Sequence, residues 1–141
     1  MQEGELSVQN KILYHGSDKK IPILKPRQPT DTKKENSVKA IYATDSKNMA
    51  LGMALTNQEG SESFATKKPF KINFVKGEPK MKFVYLHILS KKDFKKNAPG
   101  QYLSTKSVKP LKIVRYPVHA LRNLWRKSNK RELIKFLKTR K

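Results

Sequence analysis

Three short motifs carry side chains that could together hold a nucleotide. They are Tyr-His-Gly-Ser at residues 14–17, Ala-Ile-Tyr-Ala-Thr at residues 40–44 and Gly-Gln-Tyr-Leu-Ser at residues 100–104. His15, Tyr42 and Gln101 supply an imidazole, a phenol and a carboxamide, which donate and accept hydrogen bonds in complementary ways. Such a set suits a nucleotide ring and its ribose. The sequence therefore predicts a nucleotide pocket, on the condition that the three motifs meet in space.

Each motif lies in or at the end of a short apolar run of the kind that forms β-strands. We predict strands over residues 11–15, 38–43 and 102–104. Turn residues at 16–18 end the first strand, and Pro99-Gly100 precedes the last. Each strand would therefore present polar atoms at its edge, where a ligand can reach them.

The rest of the chain alternates between strand and helix patterns. Small and apolar residues recur at helical spacing from about Ser46 to Leu55, which predicts a helix there. Further predictions are strands over 70–75, 82–89 and 111–114, a short helix over 91–97, a helix over 118–125 and a last helix capped by Ser128 with Leu133, Ile134 and Leu137 on its inner face. Loops are expected over 27–37 and 57–68.

This pattern of about six strands and three or four helices predicts a small mixed α+β domain. We expect one domain over residues 11–141, with basic C-terminal helices over 115–141 and a flexible N-terminus over 1–10.

The order and spacing of the three motifs resemble the ADP-ribosyltransferase superfamily, whose signature is written His–Tyr–Glu. The resemblance runs loosely from Leu13 to Val114 and includes an Ile-Tyr pair followed by an alanine-bearing helix. The strand that begins at Gln101, with Val-Lys-Pro after it at 108–110, is similar to the family's Glu-Tyr-aliphatic strand and the Val-Arg-Pro strand that follows. This likeness implies an ADP-ribosyltransferase-like mixed or antiparallel split sheet, NAD as a substrate and mono-ADP-ribosyl transfer as the activity.

The resemblance also implies a role for each matching residue. His15 would bond the adenosine-side ribose, and the backbone of Gly16 would bond the nicotinamide amide. Tyr42 would line the nicotinamide pocket, and Gln101 stands where the family has the Glu that contacts the nicotinamide-side ribose. The implied catalytic residues are His15, Tyr42 and Gln101, and the implied NAD-binding residues are His15, Gly16, Ser17, Tyr42 and Thr44.

Two departures from the family pattern bear on turnover. Gln101 carries no negative charge, so it can bond ribose hydroxyls but cannot act as a base or pair with a cationic transition state. The helix after Tyr42 has no second tyrosine to sandwich the nicotinamide, which leaves Leu51 or Met53 to pack there. Both departures weigh less when the acceptor is already a good nucleophile, such as a phosphate end of RNA.

The charge of the chain is strongly positive and uneven. The 141 residues include 32 Lys and Arg against 11 Asp and Glu, a formal net charge of +21. Residues 94–141 hold fifteen of these basic residues and a single acid, Glu132. Such a field attracts polyanions, and structured RNA or a ribonucleoprotein is the expected partner.

Basic residues cluster around Tyr116 and Trp125 in the last third of the chain. Arginine forks suit phosphates, and exposed aromatic rings can stack on bases. On a helix from Val118, Arg122 and Arg126 would lie one turn apart on one face. The predicted nucleic-acid contacts are Arg115, Arg122, Arg126, Lys127, Lys130, Arg131, Lys135 and Lys138. In the alternative interpretation Trp125 packs the last helix onto the sheet.

Composition narrows the remaining possibilities. The absence of cysteine excludes disulfides and thiolate metal sites, and three scattered histidines without a carboxylate cluster argue against a metal site. No run approaches the roughly 18 apolar residues of a membrane span, and the acidic N-terminus is unlike a signal peptide, so a cytoplasmic protein is expected. His87, inside an apolar run, is interpreted as a core histidine and His119 as a surface one.

Two alternatives to an ADP-ribosyltransferase remain open at this point. One is a non-catalytic RNA- or ribosome-binding protein on the same fold, in which Gln101 marks lost turnover. The other is a small basic ribonuclease of the toxin type, in which His15 or His119 acts as acid or base.

Overall fold

The computed structural model describes residues 11–28 and 38–139. These residues form β1 (Ile12–Ser17), β2 (Ile41–Thr44), α1 (Lys47–Leu55), β3 (Glu62–Lys67), β4 (Phe70–Lys76), β5 (Phe83–Ser90), a 3-10 helix (Lys91–Asp93), β6 (Lys95–Ala98), β7 (Gln101–Ser104), β8 (Lys112–Pro117), a second 3-10 helix (Val118–Leu124), β9 (Trp125–Lys127) and α2 (Lys130–Lys138). The predicted α+β class is confirmed. The predicted N-terminal segment 1–10 and most of the predicted loop 27–37 lie outside the described residues.

The strands form two sheets. The larger has the order β6-β7-β2-β1-β5-β8, and every neighbouring pair in it is antiparallel. The smaller has the order β3-β4-β9, in which β3 and β4 are antiparallel and β4 and β9 are parallel. The larger sheet therefore brings β1, β2 and β7 side by side, although β7 lies far along the chain from the other two.

Helix α1 starts where the sequence predicted, and its first turn is capped by Ser46. The Ser46 hydroxyl accepts a hydrogen bond from the Met49 N–H, and the Thr44 hydroxyl accepts one from the Ser46 N–H. The helix lies close to β1, because a Cβ on Gly16 would overlap the carbonyl oxygen of Ala50. Glycine at position 16 thus sets the distance between helix and sheet.

Two apolar clusters pack on the two faces of the larger sheet. One contains α1, β4 and Trp125 together with Val84 and Leu86 of β5. The other contains Leu13, Leu89 and Tyr102, and Leu24 and Val108 cover it through a pair of backbone hydrogen bonds. Since side chains alternate along a strand, one sheet serves both clusters.

Three predicted elements are wrong in part. The predicted loop 57–68 contains β3, because a polar edge strand is stabilised by its ladder with β4 rather than by its own composition. The predicted helix 91–97 is a single 3-10 turn that ends at the buried Phe94, after which β6 pairs with β7. The predicted helix 118–125 is a 3-10 helix with a kink at Leu121, and Trp125 opens β9 instead.

The last helix is present, but its predicted cap and inner face are wrong. Asn129, not Ser128, is the N-cap and accepts from the Glu132 N–H. Ile134 and Leu137 are 53% and 51% exposed. The helix docks instead through Phe136, whose ring lies 4.8 Å from that of Phe64. The 3.6-residue period groups apolar residues on one side of the helix, but it does not show which side packs on the sheet.

Candidate functional site

The three motifs lie on three neighbouring strands of the larger sheet. Thr44 on β2 is paired with Tyr14 on β1 and with Gln101 on β7, so the motifs share one row across the sheet. The junction is closed further by the Asp45 N–H, which donates to the Gly100 carbonyl at 3.4 Å. The strands that carry the three motifs are therefore neighbours in the sheet, although His15 and Gln101 lie far apart in the chain.

His15 is joined to the second motif through its ring. Its Nδ1 lies 2.8 Å from the backbone carbonyl oxygen of Tyr42. A carbonyl oxygen only accepts hydrogen bonds, so Nδ1 carries the hydrogen and Nε2 presents a lone pair. Burial, reinforced by the charge of Arg27, lowers the pKa of His15 below 6.5 despite that hydrogen bond, which acts in the opposite direction. The ring is therefore neutral at pH 7 and can accept a hydrogen bond at Nε2.

Tyr42 and Gln101 lie on the face of the larger sheet on which α1 packs. The predicted common pocket is wrong in one respect: Gly16 faces α1, so side-chain alternation along β1 puts His15 on the opposite face, together with Leu13. The β2–β7 register pairs Tyr42 with Leu103 and Thr44 with Gln101, and alternation leaves Ala43 and Tyr102 in the opposite core. The Tyr42 hydroxyl donates to the Val38 carbonyl oxygen at 2.6 Å. The His15 ring meets the main chain of Tyr42 rather than its phenol.

Two of the predicted NAD-binding hydroxyls are already used by the local structure. The Ser17 hydroxyl accepts from the Lys19 N–H at 3.1 Å, which stabilises the turn after β1. The Thr44 hydroxyl accepts from the Ser46 N–H and lies 3.6 Å from the Met49 sulfur. With Gly16 packed against α1, all three residues have a structural reason for their identity in addition to the predicted one.

Asp45 is the acidic residue that sequence reasoning did not single out here. Its carboxylate oxygen Oδ1 lies 3.4 Å from the position that a Cβ on Gly100 would take, beside the residue before Gln101. Asp45 is exposed and forms no ion pair within residues 11–28 and 38–139. The pairing of β2 with β7 is what brings Asp45 beside Gly100.

His87 is a core residue, as its sequence context predicted. It is fully buried opposite His15 on β5, with the two rings 5.9 Å apart. Its Nδ1 meets the His15 carbonyl oxygen at 3.1 Å and its Nε2 accepts from the Ile21 N–H at 3.0 Å. Burial lowers its pKa as well. Both ring nitrogens are satisfied by backbone, so His87 holds β1 and the segment after it in place.

His119 lies elsewhere, on the exposed 3-10 helix after β8. The structure does not bring it to His15. In the described part of the chain, no group of three or more His, Asp or Glu side chains is arranged to hold a metal ion.

Two of the predicted nucleic-acid residues form ion pairs with acids in the described part of the chain. Arg126 forms an ion pair with Glu132, and the Nζ of Lys127 lies 3.4 Å from the carboxylate oxygen Oε1 of Glu78. Arg122 and Arg126 do not share a helix face, because the chain changes from 3-10 helix to strand between them. The guanidinium carbon Cζ of Arg122 instead lies 3.9 Å from the centre of the Trp125 ring, and that of Arg115 lies 4.5 Å from the centre of the Phe83 ring. Trp125 is buried in the core against Phe74 and does not anchor α2.

Comparison with known proteins finds no relative of this chain. No family model matches the chain, and neither does any curated protein or solved structure. Among the described residues, no helix has the length and apolar character needed to cross a bilayer.

Proposed function

We propose that this protein is an ADP-ribosyltransferase-like domain that binds NAD at the junction of β1, β2 and β7 and acts on RNA or an RNA-associated target. The observation that supports the proposal is that the three motifs lie on neighbouring strands, together with the hydrogen bond between His15 Nδ1 and the Tyr42 carbonyl oxygen. That bond places the hydrogen on Nδ1, and burial favours the neutral ring, so Nε2 can accept a hydrogen bond. A ribose hydroxyl is a natural donor to such a nitrogen.

The transfer would break the bond between the C1′ atom of the nicotinamide-side ribose and the nicotinamide nitrogen. The electron pair leaves with nicotinamide, which becomes neutral, and an acceptor oxygen forms the new bond to C1′. A hydroxyl acceptor must lose a proton to solvent or to a base, whereas a terminal phosphate need not. The transition state resembles an oxocarbenium ion, so a nearby negative charge stabilises it.

Two side chains would divide the work that a single Glu does in the family. Gln101 is suited to hydrogen bonds with the ribose hydroxyls. Asp45, beside Gly100 and without an ion-pair partner in the described residues, would supply the negative charge. The proposal therefore expects Asp45→Asn to abolish any transfer while leaving NAD binding nearly unchanged.

The test is a titration of the protein with NAD by calorimetry, followed by incubation with labelled NAD with and without total RNA. We expect binding that is lost in His15→Ala and retained in His119→Ala, a matched control at an exposed histidine. Gln101→Glu should raise transfer, whereas Asn123→Asp, which adds the same charge on the exposed 3-10 helix, should not. An absence of both NAD binding and labelled product would remove the proposal.

A second candidate is a non-catalytic RNA-binding protein on this fold. Its support is the charge of the C-terminal third and the position of Gln101 where the family has an acid. Of the eight predicted contacts, the six that form no ion pair within residues 11–28 and 38–139 would give a log–log salt slope of about −4 to −5. RNA binding with that slope, in a preparation that does not bind NAD, would favour this candidate.

A further inference from the structure

A groove of about 540 Å³ opens at the end of the larger sheet, away from the three motifs. It is lined by Met81, Lys82, Phe83, Pro117, Val118, His119, Arg122 and Trp125. Its size is in the range of small-ligand sites. Phe83 and Pro117 are register partners on β5 and β8, and the Val118 N–H donates to the Lys82 carbonyl oxygen at 2.9 Å. The walls are therefore held by the sheet and by the start of the 3-10 helix.

Two arginines lie over aromatic rings at this groove. Arg122 stacks on Trp125 and also donates from Nη1 to the Trp125 carbonyl oxygen at 2.7 Å, which holds the guanidinium plane in place. Arg115 stacks on the exposed ring of Phe83. A stacked guanidinium keeps its outer face free and its charge fully present. Each pair thus combines a cation with an aromatic ring.

The charged residues that line the groove are all basic. Its lining residues include Lys82 and Arg122, Arg115 adjoins it through Phe83, and none of the lining residues is acidic. An apolar floor with a cationic rim complements a flat aromatic ring attached to a phosphate chain. An apolar peptide or an acyl chain would use the floor but leave the rim without a partner.

We propose that this groove takes an unpaired base of single-stranded RNA, which stacks on Phe83 and on the Arg122–Trp125 pair while its flanking phosphates meet Lys82 and Arg115. The proposal rests on the RNA binding proposed above and names the form of RNA recognised. Bases in a duplex are already stacked, so a splayed base is required. The groove is separate from the three-motif junction, so NAD binding does not depend on it.

Trp125 is the only tryptophan in the chain, so its fluorescence reports directly on the groove. The experiment titrates the full-length protein with oligouridylate and oligoadenylate of about eight nucleotides, with an abasic ribose-phosphate oligomer of equal length and with an RNA duplex. We expect the base-containing single strands to quench the fluorescence and to bind more tightly than the other two probes. Phe83→Ala should weaken single-strand binding about fivefold to a hundredfold and leave abasic binding unchanged.

The controls keep the result interpretable. Leu111→Ala removes another exposed apolar side chain, 63% exposed and outside the groove, and should change nothing. Phe83→Tyr keeps a stacking ring and should retain binding, and thermal unfolding verifies that each variant is folded. Equal affinity for abasic and base-containing strands, or quenching by anionic vesicles alone, would overturn the groove as a base site. If that outcome came with intact NAD binding and salt-dependent RNA binding, only this inference would fail.

Discussion

The junction of the three motifs and the groove beside Phe83 show two different ways in which this chain presents polar chemistry. At the junction, His15, Tyr42 and Thr44 each form hydrogen bonds within the protein, and the histidine is neutral. At the groove, Arg115 and Arg122 form no ion pair within the described residues and contact aromatic rings. The first region is tightly fixed by packing, and the second is exposed and cationic.

The difference affects how mutations in each region can be interpreted. A residue at the junction serves the fold and the proposed pocket together, so its loss alters stability as well as binding. A residue at the groove rim can be changed with little effect on the fold, so a binding defect there points to binding itself. We therefore expect the largest losses of stability at and around the junction and smaller ones at exposed sites outside it.

The largest effect is expected for Gly16→Ala. The added Cβ would overlap the Ala50 carbonyl oxygen, and a backbone atom cannot move aside without shifting α1. We expect a loss of about 3 kcal/mol or more in the free energy of unfolding, measured by urea denaturation. Gly60→Ala is the matched control, since its φ is +76° but nothing lies within 4 Å, and it should cost only about 1–2 kcal/mol. Equal losses would mean that α1 does not pack against β1 as described.

A smaller effect is expected from pH. Burial lowers the pKa of His15 and of His87 below 6.5, so below that pH the unfolded chain takes up protons that the folded chain does not. The contribution of these two histidines to the free energy of unfolding should be constant above about pH 7 and should fall as the pH drops toward 5. Chemical denaturation across this range should show a shallower dependence in His87→Asn. His119→Asn, at an exposed ring, is the control, and an identical slope in His87→Asn would contradict the prediction.

A cap at the C-terminal helix comes next in size. Asn129 accepts a hydrogen bond from the Glu132 N–H at 2.9 Å, so Asn129→Ala should cost about 1 kcal/mol of stability. Asn129→Asp, which can cap the same N–H, should retain the wild-type stability. Thermal unfolding measures both variants. The NAD titration should not change in either variant, because α2 is remote from the three strands.

The smallest change in stability is expected for Glu132→Gln. This variant breaks a half-exposed ion pair with Arg126, which is worth at most about 1 kcal/mol. It also releases the Arg126 charge for RNA, so the log–log salt slope should steepen by about 0.7–0.9. An unchanged slope would show that Arg126 does not reach the phosphates.

Several parts of the fold could be predicted from the sequence because they depend on local signals. The β1, β2, β5 and α1 segments follow from apolar runs, turn residues and a Ser cap. β3 and β9 could not be predicted, since β3 depends on its ladder with β4 and β9 on a parallel pairing between Trp125 and Ile72. The exposed side of α2 was assigned wrongly because helical period gives a face but not its partner.

The residue types determined the strong positive charge, the mixed α+β class and the chemical groups available at His15, Tyr42 and Gln101. Only the tertiary structure decided that the strands carrying these residues are neighbours, that His15 meets a carbonyl oxygen and that Asp45 lies beside Gly100. It also decided that Phe83 and Trp125 would share a groove with stacked arginines. Charge and chemical group are properties of each residue type, whereas these contacts depend on the strand register between segments that are distant in sequence.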